Sequence, residues 1–375
     1  MTKMLKKTLV IGSSESGKTY CYTNKILSNP DNTTSYVVLD INNNLYNSNK
    51  EILERKGYNI KVLDLCDVYN SIKYNPFNRI KNDADIEQLI NVFYNSVFLK
   101  DTTDNIFIKY EKYFVSLLFY LAFDMYKKDK ECYIFEEIYR FCNMALNDSE
   151  SFNYIVDKMI SDNKNINIIT SHFLNYKKCS TSTLQEIIIT TLIKLDDILF
   201  GGKINKITSN NDINFDDIHN YKTTVFINLP MNNITYDFLA SMFISQLYDY
   251  LNITLGSNKL NYTVRFVLDD FIRLGKIPYL KEKLATWTNK NAKLKADIVI
   301  QSLEQLYKIY EEDYLVIVCN CDSIINFGTI SYFDIKELNK IMNYDNNSLN
   351  ANECLVRKLD IDKRKYVTEL VEKQY

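Results

Sequence analysis

Apolar residues along the chain fall in two rhythms, and the change between them divides the sequence. Near the N-terminus, short unbroken apolar runs alternate with amphipathic stretches. Thr8–Ile11, Ser35–Asp40 and Asn59–Leu65 read as buried strands bounded by polar turn residues. One helix runs from the end of the first strand toward Leu27, and Asn29-Pro30-Asp31-Asn32 makes a turn. A second helix spans about Leu45 to Lys56 and stops at Gly57. Strand, helix, strand, helix, strand at this spacing predicts a parallel α/β sheet.

The rhythm changes near Asn75-Pro76-Phe77. From Asp85 to about Phe200 apolar residues recur at helical spacing, as in Ile86, Leu89, Ile90, Phe93 and Val97. Further helices are predicted over Lys109–Tyr126, Ile134–Ala145, Phe152–Ser161 and Ser180–Ile198, with Gly201-Gly202 marking the exit. The α/β pattern then resumes. Strands are predicted at Thr223–Leu229, Val264–Leu268, Asp297–Ile300 and Tyr314–Cys319, and helices at about Tyr236–Leu251, Ile277–Thr288 and Tyr332–Met342. The polar tail beyond Asn343 has no assigned element. The predicted organisation is an α/β domain of residues 1–82 and 205–375, interrupted by an all-α domain of residues 83–204.

Composition narrows the class. Of 375 residues, 46% are hydrophobic and 25% charged, which fits a globular chain with a sizeable core. The net charge of −2 supplies no global basic field, so any nucleic-acid contact has to be a local patch. Eight cysteines without a secretory leader read as reduced thiols of a cytoplasmic protein, and the first strand begins too early to leave room for a signal peptide. The two histidines, His172 and His219, lie far apart in sequence, and Cys319 and Cys321 lack zinc-motif spacing, which argues against a zinc site. The longest apolar run, Phe114–Phe123, ends at Asp124, well short of the roughly 20 residues that span a bilayer.

Candidate chemistry sits at strand ends. Gly12-Ser13-Ser14-Glu15-Ser16-Gly17-Lys18-Thr19 joins the first strand to the first helix and satisfies the phosphate-binding loop pattern in the context it requires. Glycines let backbone N–H groups close around phosphate oxygens, aided by the positive helix N-terminus. Lys18 is then expected on the β/γ-phosphates and the Thr19 hydroxyl on Mg²⁺, which makes ATP and Mg²⁺ the expected ligands. Asp269 ends an apolar strand, where a second Mg²⁺-organising carboxylate belongs. Asp270 beside it is a candidate general base, and Gln301, also at a strand end, a candidate to sense the γ-phosphate or orient water. The plainer alternatives are an acidic turn for the pair and an exposed loop residue for Gln301.

Taken in order, these residues resemble the type IV secretion coupling proteins, conjugative DNA-transfer ATPases of the FtsK/HerA-like group. The resemblance covers nearly the whole chain. It runs through Ser35–Asp40, Gly57–Leu65 with Tyr74-Asn75-Pro76-Phe77, and Gln301-Ser302 with Gln305-Leu306 and Tyr310. Asn320-Cys321-Asp322 and Gly328-Thr329 continue it. Its most specific part is Leu268-Asp269-Asp270-Phe271 followed by Leu274-Gly275-Lys276-Ile277-Pro278, similar to the family's Walker B segment. The resemblance implies a RecA-like motor domain carrying an all-α domain, ATP hydrolysis and a hexameric ring. It also implies DNA as partner, with a relaxase on single-stranded DNA, and a secretion channel at the inner membrane.

Four positions depart from the family pattern. No transmembrane helix is present, so the expected location is cytoplasmic or peripheral at the inner face of the membrane, with an anchor protein in trans. Asp270 replaces the usual Glu, Asn42 stands where a lysine is common, and Thr288 falls near a frequent arginine position. In the same segment Lys290, Lys293 and Lys295 are candidate DNA-backbone contacts beside Trp287; a solvated basic loop is the alternative. Two readings follow: an ATP-driven DNA-transfer motor, or a nucleotide-binding docking or regulatory protein with weak or no hydrolysis.

Overall fold

In the computed structural model, residues 7–98, 106–162, 167–256, 260–286, 293–343, 349, 352–360 and 365–373 are described. The chain opens with β1 (Lys7–Ile11), buried along its whole length. A π-helical turn over Thr19–Asn24 runs on into α1 (Lys25–Ser28), β2 (Thr34–Ile41), α2 (Asn44–Arg55) and β3 (Asn59–Asp64). Seven helices come next: α3 (Asp83–Val97), α4 (Ile106–Lys128), α5 (Ile134–Asn147), α6 (Ser149–Asp162), α7 (Asn167–Tyr176), α8 (Thr181–Leu199) and α9 (Lys203–Thr208). The remainder alternates again, as α10 (Phe215–Asn220), β4 (Thr223–Leu229), α11 (Asp237–Gly256), β5 (Thr263–Leu268), α12 (Leu280–Thr286) and β6 (Leu294–Ile300). It ends with α13 (Leu303–Tyr310), α14 (Asp313–Cys319), β7 (Ser323–Asn326), α15 (Tyr332–Met342), β8 (Glu353–Asp360) and β9 (Lys365–Glu372).

The nine strands form one sheet in the order β3-β4-β2-β5-β6-β1-β7-β8-β9. Pairing is parallel through β7, and β8 and β9 add an antiparallel hairpin. Strands buried on both faces read as continuous apolar runs, which is why β2, β4 and β6 were visible as such. On one face Leu27, Tyr36, Val38, Leu45, Leu53, Phe226 and Val267 pack into a core beneath α1 and α2. The decisive feature for chemistry is that β6 lies between β1 and β5. Register pairs Ile11 with Ile300 and Leu268 with Ile298, so the loops after all three strands open on one sheet edge. In open α/β sheets that carboxyl edge is where ligands bind.

The chain divides into two compact units. An α/β unit comprises Met1–Cys66, Asn214–Ile234 and Leu247–Tyr375; a helical unit comprises Asp67–Ile213 and Thr235–Gln246. The helical unit therefore extends beyond residues 83–204 on both sides. Aromatic packing explains two of its three added stretches, 67–82 and 235–246, the third being 205–213. Phe77 meets Phe119, Phe123 and Tyr126 edge-on at centroid distances of 6.0, 5.6 and 5.9 Å. Phe238, from the first half of α11, lies 5.2 Å from Phe93 and 5.4 Å from Phe135. No helix among the described residues is long and apolar enough to cross a membrane.

Two local expectations are corrected. Tyr314–Cys319 is helix α14 rather than a strand, and the strand lies just beyond it at Ser323–Asn326. The run is apolar throughout, so its periodicity was hidden. Only Tyr314, Ile317 and Val318 are buried, at helical spacing, while Leu315 and Val316 are exposed. The polar tail forms the β8–β9 hairpin, held by the buried Cys354 and Leu355. Phe226 is fully buried at the centre of the α/β core. Phe226→Ala is expected to cost about 3–5 kcal/mol in urea unfolding of the α/β unit, through lost transfer energy and a residual cavity.

Candidate nucleotide-binding site

The loop after β1 is braced from two sides. Gly12 N–H donates to the Ile300 carbonyl at 3.3 Å, and Ser13 N–H to the Gly328 carbonyl at 2.9 Å, so the ends of β6 and β7 hold the loop's first turn. Gly12 is required by space: a Cβ there would stand 2.5 Å from Ser16 Oγ and 2.8 Å from Phe327 Cβ. Glu15 and Gly17 have positive φ, at 61° and 90°. Left-handed residues in such a loop turn successive N–H groups toward an anion. Ser16 Oγ is buried without a hydrogen-bond partner, as a group waiting for an acceptor would be.

Lys18 curls back over the loop, its Nζ donating to the carbonyls of Gly12 at 2.5 Å and Ser13 at 2.7 Å. Burial pushes its ammonium below the usual lysine range, and the charges of Asp269 and Asp270 partly restore it. Thr19 Oγ1 donates to Asp269 Oδ2 at 2.9 Å, joining residues 250 positions apart. Thr23, one π-turn later, also reaches Asp269 Oδ2 at 3.5 Å. Burial raises the Asp269 carboxyl above its ordinary range, against the opposing pull of the Thr19 hydroxyl and the Lys18 charge.

Asp270 begins the turn after β5 in the left-handed region, at φ 53°. Its Oδ1 accepts from Gln301 Nε2 at 3.4 Å. Burial raises this carboxyl too, and the guanidinium of Arg273 is the first charge opposing the rise. Arg273 is anchored by donating to the carbonyls of Pro230 at 2.9 Å and Asn233 at 3.3 Å. A cavity of about 190 Å³ opens here, bounded by Ser14, Glu15, Lys18 and Thr19 on one side and by Asp269, Asp270 and Gln301 on the other. The sequence-derived loop, carboxylate pair and glutamine are thus brought to one place.

Among the further residues lining this cavity that sequence reasoning did not assign to it are Met231 and Asp40. Met231 arrives on the loop after β4, its N–H bonded to Asn42 Oδ1 at 2.9 Å. Asn42 itself has φ 56°, a conformation that asparagine tolerates better than lysine, so the departure at this position matches the backbone. Asp40 lies one residue before the end of β2 and Asp269 directly after β5, and placement near a strand end was the available signal. Its carboxylate accepts the Leu45 and Tyr46 N–H groups at 3.0 and 2.8 Å, holding the start of α2. Burial nonetheless raises its pKa to about 6, with the Asp269 charge adding to the rise.

The lysine candidates are redistributed. Lys295 is buried within β6, its side chain facing Arg265 and Asp31 rather than an open loop, so the proposed DNA contact is corrected. Lys293 commits its ammonium to the carbonyls of Leu260 and Asn261. Both strand-end lysines were misplaced because β6 begins earlier than its apolar run. Lys290, with Trp287 and Thr288, lies outside the described residues. Among the described residues no cluster of three or more His, Cys, Asp or Glu side chains could hold a metal ion. One hydroxyl and one carboxylate remain at Thr19 and Asp269, a donor set suited to Mg²⁺ that keeps its other positions for phosphate and water.

Residues 4–341 match the family profile described as Type IV secretory system conjugative DNA transfer. No curated protein sequence matches the chain. Among solved structures, plasmid coupling protein TrwB in complex with ADP and Mg²⁺ is similar at a TM-score of 0.68 and 13% identity, over 98% of this chain and 85% of that one. TrwB with the non-hydrolysable ATP analogue ADPNP gives 0.64 and 14%, over 98% and 86%. VirB4 of Thermoanaerobacter pseudethanolicus gives 0.59 and 12%, over 99% and 89%. At these identities the likeness establishes the fold, an α/β P-loop sheet flanked by helices.

Two outcomes follow from the geometry. Gly12→Ala, which drives a methyl into Ser16 and Phe327, is expected to weaken nucleotide binding about tenfold or more by displacing the loop, measured by calorimetric titration. Asp40 takes up its proton more tightly folded than unfolded, so the stabilisation it gives is complete below about pH 4 and is lost as pH rises through about 6. The loss amounts to about 3 kcal/mol. Urea unfolding at about pH 5 and about pH 7.5 is expected to show Asp40→Asn gaining stability relative to the parent at the higher pH.

Proposed function

The chain belongs to the type IV secretory system conjugative DNA-transfer family, and on that footing we propose that it binds MgATP at Gly12–Thr19 and hydrolyses it to drive DNA transfer. One observation carries the reading: Thr19 meets Asp269 at 2.9 Å while Gln301 meets Asp270 at 3.4 Å, all on the wall of one cavity at the carboxyl edge of the sheet. The ligands named for the TrwB structures, ADP with Mg²⁺ and ADPNP, support the same choice of nucleotide and metal here.

Each residue has a defined task. The loop amides and Lys18 take the phosphate oxygens, Lys18 exchanging the Gly12 and Ser13 carbonyls for a stronger, charged partner. Thr19 and Asp269 would hold Mg²⁺, which when bound would supply neutralisation of phosphate charge. Asp270 accepts the proton of the attacking water, and Gln301 orients that water from the neighbouring strand. Arg273 fixes the Asp270 turn to the Pro230–Asn233 loop.

The partners of this reading are DNA, presented as a relaxase-bound single strand, and a secretion channel or membrane anchor supplied in trans, with the chain acting as a hexameric ring. Contacts with DNA are assigned to neither Lys293 nor Lys295, since the Lys293 ammonium is bonded within the fold and Lys295 is buried. A second reading, a nucleotide-binding docking or regulatory protein, is favoured by one feature. Asp270 is a methylene shorter than glutamate, and a misplacement of about 1 Å can slow turnover by roughly 10²-fold.

ATP hydrolysis measured with and without single- and double-stranded DNA separates the two. The motor reading expects turnover that DNA stimulates and Lys18→Ala abolishes, with Asp270→Glu raising the rate constant about tenfold or more. Tight MgATP binding without any Lys18-dependent turnover would leave the docking protein.

A further inference from the structure

Asp334 lies on α15, outside the cavity, and is fully buried. Its carboxylate collects four donors from two other segments. Oδ1 accepts from Ser302 Oγ at 3.0 Å and from Glu304 N–H at 3.1 Å, and Oδ2 from Leu303 N–H at 3.1 Å and Thr329 Oγ1 at 3.2 Å. Three of these donors form the turn immediately after Gln301. The fourth sits beside Gly328, whose carbonyl receives the Ser13 N–H of the phosphate loop.

A capping role alone does not account for this arrangement. Ser302 already caps α13 by accepting the Glu304 N–H at 3.0 Å. A second acceptor brought from 30 residues away, fully buried and holding donors from two segments, points to a constraint beyond the helix end. What it joins is specific: the element presenting Gln301 to Asp270, and the loop bracing the first turn of the phosphate site. Ser331 adds a parallel tie, its Oγ reaching Glu304 Oε2 at 3.3 Å.

We infer that Asp334 is a positioning residue that makes the Gln301 turn and the Gly328–Thr329 brace move as one body, so that Gln301 reads the γ-phosphate only when the phosphate loop is correctly seated. The inference rests on the nucleotide-binding reading above and deepens it. It implies that Asp334 contributes little to binding the phosphates shared by ADP and ATP, and much to telling the two apart.

The test compares affinities for MgADP and for a non-hydrolysable ATP analogue with Mg²⁺, which requires no turnover. The parent protein is expected to favour the triphosphate. Asp334→Asn is expected to reduce that preference about tenfold, as losing charge-assisted hydrogen bonds predicts, with MgADP affinity changed by less than about threefold. Because a buried carboxylate variant can fail to fold, Ser302→Ala and Thr329→Val supply the same test. Each removes one tie to Asp334, Ser302→Ala together with the α13 cap and Thr329→Val together with the Ser331 N–H contact. Each is expected to lower the preference, and the double variant is expected to lose less than the sum because the tie acts as a unit. If Ser302→Ala and Thr329→Val leave the preference unchanged, or weaken both nucleotides equally, Asp334 is only a structural cap. Equal affinity of the parent for both nucleotides would also overturn the inference while leaving nucleotide binding intact. Failure of the parent to bind either nucleotide would instead overturn the functional reading.

Discussion

A hydrogen bond between Thr19 and Asp269 joins the two ends of the chemistry across β6, which lies between β1 and β5. With β6 between them, the gap is filled at its carboxyl end by Gln301, and the nucleotide cavity opens in front of all three. Strand order thus fixes which functional groups share the cavity before any side chain is considered. The remaining contacts, from Arg273 to Asp40, then hold those groups against the cost of their own burial.

That cost is visible in the charges. Asp40, Asp269 and Asp270 are each raised by desolvation, and all three line a cavity whose cation, Lys18, is itself weakened by burial. Carboxylates crowded in this way favour a site that receives phosphate together with a divalent cation, since either alone leaves like charges facing one another. The hydrogen bonds that these acids already accept, from Thr19, from Gln301 and from the first amides of α2, keep the arrangement ordered until the ligand arrives.

The sequence was most legible where backbone and chemistry coincide. The phosphate loop is read from glycine positions that the structure requires, Gly12 by crowding and Gly17 by its positive φ. The buried parallel strands are read from unbroken apolar runs, and Asp269, Asp270 and Gln301 from their places at strand ends. Legibility failed where one local pattern suits two structures. Tyr314–Cys319 is apolar throughout, and only its burial spacing marks a helix. Lys295 sits in a polar stretch that the sheet nevertheless draws inside, where the charges of Asp31 and Asp297 oppose its desolvation and the repulsion of Arg265. The Asp334 tie was invisible for a different reason. Its partners at Ser302 and Thr329 are assembled by the fold, and no spacing along the chain announces them.

The α/β unit is built from three separate stretches of chain, with the helical unit encoded between them. On the ribosome this imposes an order. β1 pairs with β6, so Lys7 meets Ala296 only after some 289 further residues have been made. At typical rates of synthesis that wait is roughly 15–60 s. During it β1 has no strand to join, and β2 and β3 have none until β4 is made, whereas the helical unit is complete once residue 246 has been made. The part of the protein encoded second is therefore the first that can fold. The nucleotide site, which needs β6 and Gln301 beside its loop, is among the last features to become real.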